Sequence, residues 1–329
     1  MRAGLTLLIG LALLAAACGT GAAGSPGSGT GTTSYQTLVV GAPDPEGNAL
    51  TVRFDSLAAR SQPTAVPTNA ADERFAPTGA VSYLLPDSIH TLELAGGRRI
   101  DATAPTGAIV AFAWGAGGTL AYLAHGTAVV GGSRLVIRGA VGAPRTIALP
   151  PAVGGATASL RFSPDGRLLL LVDPALSGQS SLQVRRLDGG LVFQAGGASE
   201  ATWAGSGRVY YMDARGVNVA DMATGRARTI LPEVHWQAPD SSPDGSTVVF
   251  ELHDGGGLPR LELLLASTDT VLPGFERDGG TGPRFVSPTE VWFHDAGGPA
   301  IVSLDLGRRT ETPTGLSGVV TDVRQVAVS

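Results

Sequence analysis

The sequence predicts an all-β repeat protein. Short apolar runs alternate with clusters of Gly, Pro, Asp and Ser, and almost no segment carries a helical apolar period. One strand–turn–strand unit recurs at about 42 residues. The 47 glycines and 22 prolines among 329 residues supply the turns such a pattern needs.

The elements follow in order. Residues 37–40 and 50–54 read as an opening pair of strands. The clearest repeat is Leu160-Arg161-Phe162-Ser163-Pro164-Asp165-Gly166-Arg167, running into an apolar strand at 168–172. A second copy has Ser242-Pro243-Asp244-Gly245 before the strand at 246–250. Pro164 and Pro243 preset φ for the turn, Asp165 and Asp244 cap it, and Gly166 and Gly245 take the positive-φ position. Weaker copies start at Phe75, Trp114, Trp203 and Phe285, giving six first hairpins. Second hairpins follow each, at 89–100, 135–149, 182–193, 217–230, 261–272 and 301–312, and a seventh is read at 50–54. Residues 323–328 form a spare alternating strand, expected to pair beside 37–40 and close a ring.

The Phe-Ser-Pro-Asp-Gly hairpin resembles the WD40-like repeat of TolB-type β-propellers. That resemblance covers nearly all of residues 35–329. It implies an all-β propeller of four-stranded antiparallel blades, with seven blades expected from the count of second hairpins and six as the alternative. It also implies a role in envelope protein interactions.

The N-terminus follows a secretory pattern, with Arg2 before an apolar run at 5–14 that is too short to span a membrane. The only cysteine, Cys18, follows Ala15-Ala16-Ala17 and resembles the lipid attachment point of bacterial lipoproteins. Residues 1–17 are thus expected to be a signal peptide. Residues 18–34, rich in Gly, Ser and Thr, are expected to be a lipidated flexible tether, and 35–329 the propeller. The expected location is extracytoplasmic and membrane-anchored, with a secreted form as the alternative.

Composition narrows the function. A net charge of −5 argues against a nucleic-acid partner. The absence of lysine excludes a Walker-type phosphate loop and a lysine Schiff base. With Cys18 lipidated, no disulfide or cysteine zinc site can form.

No catalytic residue is assigned, and neither metal nor cofactor is expected. The Ser163-Pro164-Asp165-Gly166 spacing departs from a sialidase-type Asp box, and Asp221-Met222-Ala223-Thr224-Gly225 lacks the tryptophan of quinoprotein repeats. His90, His125, His235, His253 and His294 share no metal-type spacing. Two loops, 41–48 and 254–257, are calcium-like only in composition. No Gly-x-Ser-x-Gly elbow occurs. Two functional classes remain: a non-catalytic binding or scaffold module for an envelope protein, peptide or glycan, and a metal-dependent hydrolase of the lactonase kind. The second requires carboxylate, Asn or His side chains converging at the axis.

Overall fold

The computed structural model describes residues 33–327, apart from 44–47, 57–58, 61–63, 93–97, 105–106, 127–131, 151–157, 174–180, 254–256, 296–297 and 299. The expected signal peptide, Cys18 and nearly all of the tether lie outside the described residues. So do 44–47 and 254–256, within the two calcium-like loops.

The chain opens with β1 (Thr33–Pro43), β2 (Asn48–Ser56), β3 (Ala59–Arg60) and β4 (Thr64–Pro67). Six four-stranded antiparallel blades follow, each a meander. Blade I is β5 (Ala71–Phe75), β6 (Val81–Leu85), β7 (Ser88–Leu92) and β8 (Arg98–Thr103). Blade II is β9 (Ala108–Trp114), β10 (Leu120–His125), β11 (Arg134–Arg138) and β12 (Arg145–Ala148). Blade III is β13 (Ser159–Phe162), β14 (Leu168–Val172), β15 (Leu182–Arg186) and β16 (Leu191–Ala195). Blade IV is β17 (Glu200–Ala204), β18 (Arg208–Asp213), β19 (Gly216–Asp221) and β20 (Arg226–Pro232). Blade V is β21 (Trp236–Ser241), β22 (Thr247–Leu252), β23 (Arg260–Leu265) and β24 (Thr270–Asp278). Blade VI is β25 (Gly280–Ser287), β26 (Glu290–Asp295), β27 (Ala300–Asp305) and β28 (Thr310–Ser317), and β29 (Val319–Ala327) ends the chain.

This corrects the expectation of seven four-stranded blades: there are six. The remaining sheet is five-stranded, in the order β29-β1-β2-β3 with β4 also on β2, and draws on both ends of the chain. Its opening unit has no first hairpin of its own, so the inner position falls to β29. On the outer side, β3 makes only two pairs, Phe54↔Arg60 and Ser56↔Ala59, across a register shift. The rest of β2 is covered by β4, through Asn48↔Pro67 to Thr51↔Thr64. Two short strands therefore stand where a blade would have one.

The C-terminal strand does pair with β1, in a register different from the expected one. Thr37 faces Val323, Val40 faces Val319 and Thr33 faces Ala327. Residues 37–40 thus meet 319–323, while the segment after 323 runs along 33–36.

Within each blade, the sequence pattern decides depth. The second strand packs both faces against neighbouring blades, so β14 is an uninterrupted Leu-Leu-Leu-Leu-Val run and its last four residues are buried. Outer strands face solvent; β12 and the first half of β20 are largely exposed. The apolar core lies in wedges between sheets. Leu84 and Ile89 of blade I meet Phe112 and Leu120 of blade II. Tyr210 of blade IV meets Trp236 and Phe250 of blade V, with Trp236 edge-on to Tyr210 at 6.4 Å. Val39 and Val320 of the terminal sheet meet Trp292 of blade VI. Each such large side chain contributes about 1.5–3 kcal/mol on burial.

Deleting residues 322–329 removes the strand that holds the two ends together and exposes one edge of β1. The expected outcome is a fall of more than about 10 °C in the melting midpoint. Differential scanning calorimetry of the truncated chain checks this, and wild-type stability would contradict it.

Candidate functional site

The first strand of each blade faces the axis. Neighbouring inner strands touch: β5 with β9, β9 with β13, β17 with β21 and β21 with β25, while β29 stands between β25 and β5. They enclose an open central cavity of about 900 Å³.

Strand alternation sends one side chain between the blades and the next into the channel. In blades I, III and VI the inner strand carries an Arg-Phe pair: Arg74-Phe75, Arg161-Phe162 and Arg284-Phe285. Phe75 and Phe285 are buried between sheets. The three arginines line the cavity, and their side chains keep 20, 27 and 28 % exposure, enough to be reached from it.

Acidic partners divide the wall in two. On one side Arg74 pairs with Asp72 at 2.7 Å. Burial alone would lower the pKa of Arg74, but the attraction of Asp72 and then Asp322 outweighs it and the net shift is upward. Asp322 is pushed up by burial, against the opposing pull of Arg74 and of the Phe75 N–H. On the other side Arg161 and Arg284 share one carboxylate. The two Nη1 atoms lie 3.3 and 3.6 Å from the same Asp240 Oδ1. Arg161 also donates to Thr202 Oγ1 at 3.5 Å. These are long beside the usual 2.7–3.2 Å for N–H···O. Arg284 Nη1 makes no hydrogen bond although it is shielded from solvent. Burial and then the Arg284 charge lower the pKa of Arg161. Burial raises that of Glu200, with Arg161 and Arg284 pulling the other way.

The channel aspartates also stitch neighbouring sheets. Asp322 Oδ2 accepts the Phe75 N–H at 2.8 Å, and Asp240 Oδ2 accepts the Phe285 N–H at 2.9 Å. Asp72 stands 3.5 Å from the Phe112 nitrogen in the same relation. Tryptophans do comparable work from the next position outward. Trp114 Nε1 donates to Ser82 Oγ at 2.9 Å, and Trp203 Nε1 donates to the Arg161 carbonyl at 3.2 Å, each in the preceding blade.

The two Ser-Pro-Asp-Gly turns sit at one mouth of this channel, where Ser163, Pro164, Gly166, Ser242 and Pro243 form part of the wall. Ser163 Oγ donates to Asp165 Oδ1 at 2.6 Å, which also accepts the Arg167 N–H at 3.1 Å. Ser242 Oγ and the Ser246 N–H meet Asp244 Oδ1 in the same way, at 2.6 and 3.0 Å. Gly166 and Gly245 both have φ +70°. The pKa of Asp165 is lowered first by the Ser163 bond. That of Asp244 is lowered although burial opposes it, because Ser242 and Ser246 donate to it. The turns pack head to tail: a Cβ on Gly245 would lie 2.2 Å from the Gly205 nitrogen, and one on Gly166 would lie 3.4 Å from Ala116 Cβ.

The histidines remain apart. His90 stacks on Tyr83 at 5.6 Å, His125 bonds Asp173 at 2.8 Å, and His253 bonds Glu251 at 3.1 Å. Among the described residues, no three His, Cys or carboxylate side chains are grouped as metal ligands.

Sequence reading placed the turns but missed the charges that line the channel: Asp72, Glu73, Arg74, Arg161, Asp240, Arg284, Asp322 and Arg324. One signal was available. The Arg-Phe pair precedes the turn in three repeats, and alternation aims its arginine at the axis.

No protein-family model matches the sequence, and a search of curated proteins finds no matching relative. Solved structures do match, and they define the chain as a β-propeller. A candidate 6-phosphogluconolactonase from Bacteroides uniformis aligns over 89 % of this chain and 99 % of its own, at 13 % identity and a TM-score of 0.60. The Pseudomonas aeruginosa periplasmic gluconolactonase aligns over 91 % and 100 %, at 14 % identity and a TM-score of 0.57. TolB from Acinetobacter baumannii aligns over 77 % and 67 %, at 15 % identity and a TM-score of 0.48.

The two mouth turns differ only in their neighbours, which separates backbone strain from collision. Gly166→Ala is expected to cost about 1–2 kcal/mol for the left-handed residue. Gly245→Ala must also displace the Gly205 backbone, and is expected to cost at least twice as much. Urea titration of the two variants checks the ranking. Because both aspartates have depressed pKa values, the stability they add is present above the unfolded carboxylate value of about 3.9 and is lost as pH falls below it. An Asp165→Asn, Asp244→Asn double variant is expected to show a shallower acid limb in the same assay.

Proposed function

We propose that this protein is a membrane-anchored extracytoplasmic lipoprotein, with a propeller that serves as a non-catalytic binding or scaffold module. The partner is an envelope protein, peptide or glycan received at the channel mouth. One observation carries the binding role: an open cavity of about 900 Å³ lined by four arginines, of which Arg74, Arg161 and Arg284 keep 20–28 % side-chain exposure. Concave cavities with polar groups converging on one space are the usual form of a ligand site.

The anchoring rests on Cys18 and its leader. Among the described residues no helix is long and apolar enough to cross a membrane. A lipid on Cys18 would hold the propeller by the 15 residues before β1, a tether with a reach of about 20 Å if flexible.

A metal-dependent lactonase is the second reading, favoured by the coverage of the gluconolactonase-type propellers named above. The pairing of the cavity carboxylates Asp72 and Asp240 with Arg74, Arg161 and Arg284 weighs against it, because those oxygens are already engaged.

Cys18→Ser in the full-length chain is expected to abolish labelling by a fatty-acid probe and shift the protein out of the membrane fraction. Unchanged partition, with no acyl label on the wild type, would overturn the anchor. A photoreactive residue at Pro164 suits a chain without lysine for cross-linking and is expected to capture a macromolecular partner. Lactone hydrolysis abolished by a chelator would instead establish the enzyme.

A further inference from the structure

We propose that Arg161 and Arg284 form a receptor for a single carboxylate, supplied by an acidic side chain of a peptide that enters the channel. The inference deepens the binding reading above and rests on it.

The donors are already in place and underused. A guanidinium carries five N–H donors in a planar fork that matches a carboxylate edge. Arg161 uses its donors on Asp240 and Thr202 at 3.3 and 3.5 Å, and Arg284 Nη1 is shielded yet makes no hydrogen bond. Both cations lean on one Asp240 oxygen, while the other oxygen of that carboxylate is held by the Phe285 N–H at 2.9 Å. Two charges thus share one fixed counterion, which leaves room for a second. Glu200 also acts on both arginines, and burial raises its pKa against their pull.

The rest of the wall decides what carries the carboxylate. Asp72 and Asp322 surround Arg74 on the opposite side, where Glu73 and Arg324 also line the cavity, so that half holds three acids against two bases. A phosphate dianion or a polyuronate chain would bring further negative charge against Asp72, Glu73, Asp240 and Asp322, which line the cavity. A peptide brings one carboxylate for the basic half and backbone N–H donors for the acidic half. Half-buried Tyr35, Trp114 and Phe162 line the cavity and offer apolar surface to such a segment.

The probe is a capped Gly-Gly-Glu-Gly-Gly pentapeptide compared with its Gln counterpart, titrated calorimetrically into the full-length protein at low and high salt. Saturable binding of the Glu peptide, at least 10-fold tighter than the Gln peptide and weakened by salt, is the expected result. Arg284→Gln is expected to abolish the difference, and Arg161→Gln to reduce it. Arg308→Gln, at an exposed turn, is expected to leave it intact. Circular dichroism melts show which variants fold, and the wild-type comparison stands without them. Equal binding of the two peptides, no binding, a preference that survives Arg284→Gln, or displacement by inorganic phosphate or oligogalacturonate at lower concentration would each overturn the proposal. A partner captured at Pro164 that Arg284→Gln leaves unaffected would overturn the carboxylate receptor while leaving the binding module standing.

Discussion

Everything in this ring depends on the antiparallel pairing of β1 with β29. It joins residues almost the full chain length apart, and closing so long a loop costs about 5 kcal/mol in chain entropy alone. The ladder from Thr33↔Ala327 to Val40↔Val319 offsets that cost, together with the apolar seam of Val39 and Val320 on Trp292. The same strand carries Asp322, which accepts the Phe75 N–H and so ties the last segment of the chain to the first blade. Without β29 there would be no wall between β25 and β5, and no cavity for the arginines to line.

The channel residues therefore serve two ends at once. Asp240 and Asp322 hold neighbouring inner strands by backbone hydrogen bonds, and the same carboxylates set the charge that a ligand would meet. Such groups are hard to change singly, because removing one partner strands the other in a half-buried site. The arginines are freer. Arg284 in particular contributes no hydrogen bond through Nη1, so its chemistry is less committed to the fold than that of the aspartates around it.

Much of the fold was legible because its turns are chemical statements. Pro164-Asp165-Gly166 and Pro243-Asp244-Gly245 each specify φ, a side-chain cap and a left-handed residue, and each closes a hairpin between inner and second strands. The apolar run of β14 announces a strand buried on both faces. The number of four-stranded blades was not legible, since a two-residue strand at Ala59–Arg60 with another at Thr64–Pro67 has no periodicity to detect. The site was legible only in fragments. An arginine in an alternating strand reads locally as solvent-facing, and only the closed ring shows that Arg74, Arg161 and Arg284 face a common space.

The terminal sheet also settles how the domain would bear a load. β1 lies between β2 and β29, bonded on both edges, so a pull through residue 33 runs along the strand and across two ladders together. Hydrogen bonds loaded in that direction resist in parallel, as in shear, and do not open one after another like a zipper. A domain held by its N-terminal segment would thus be gripped at a strand paired on both edges. Traction from a large partner would reach the ring as a whole before it could peel off any one blade.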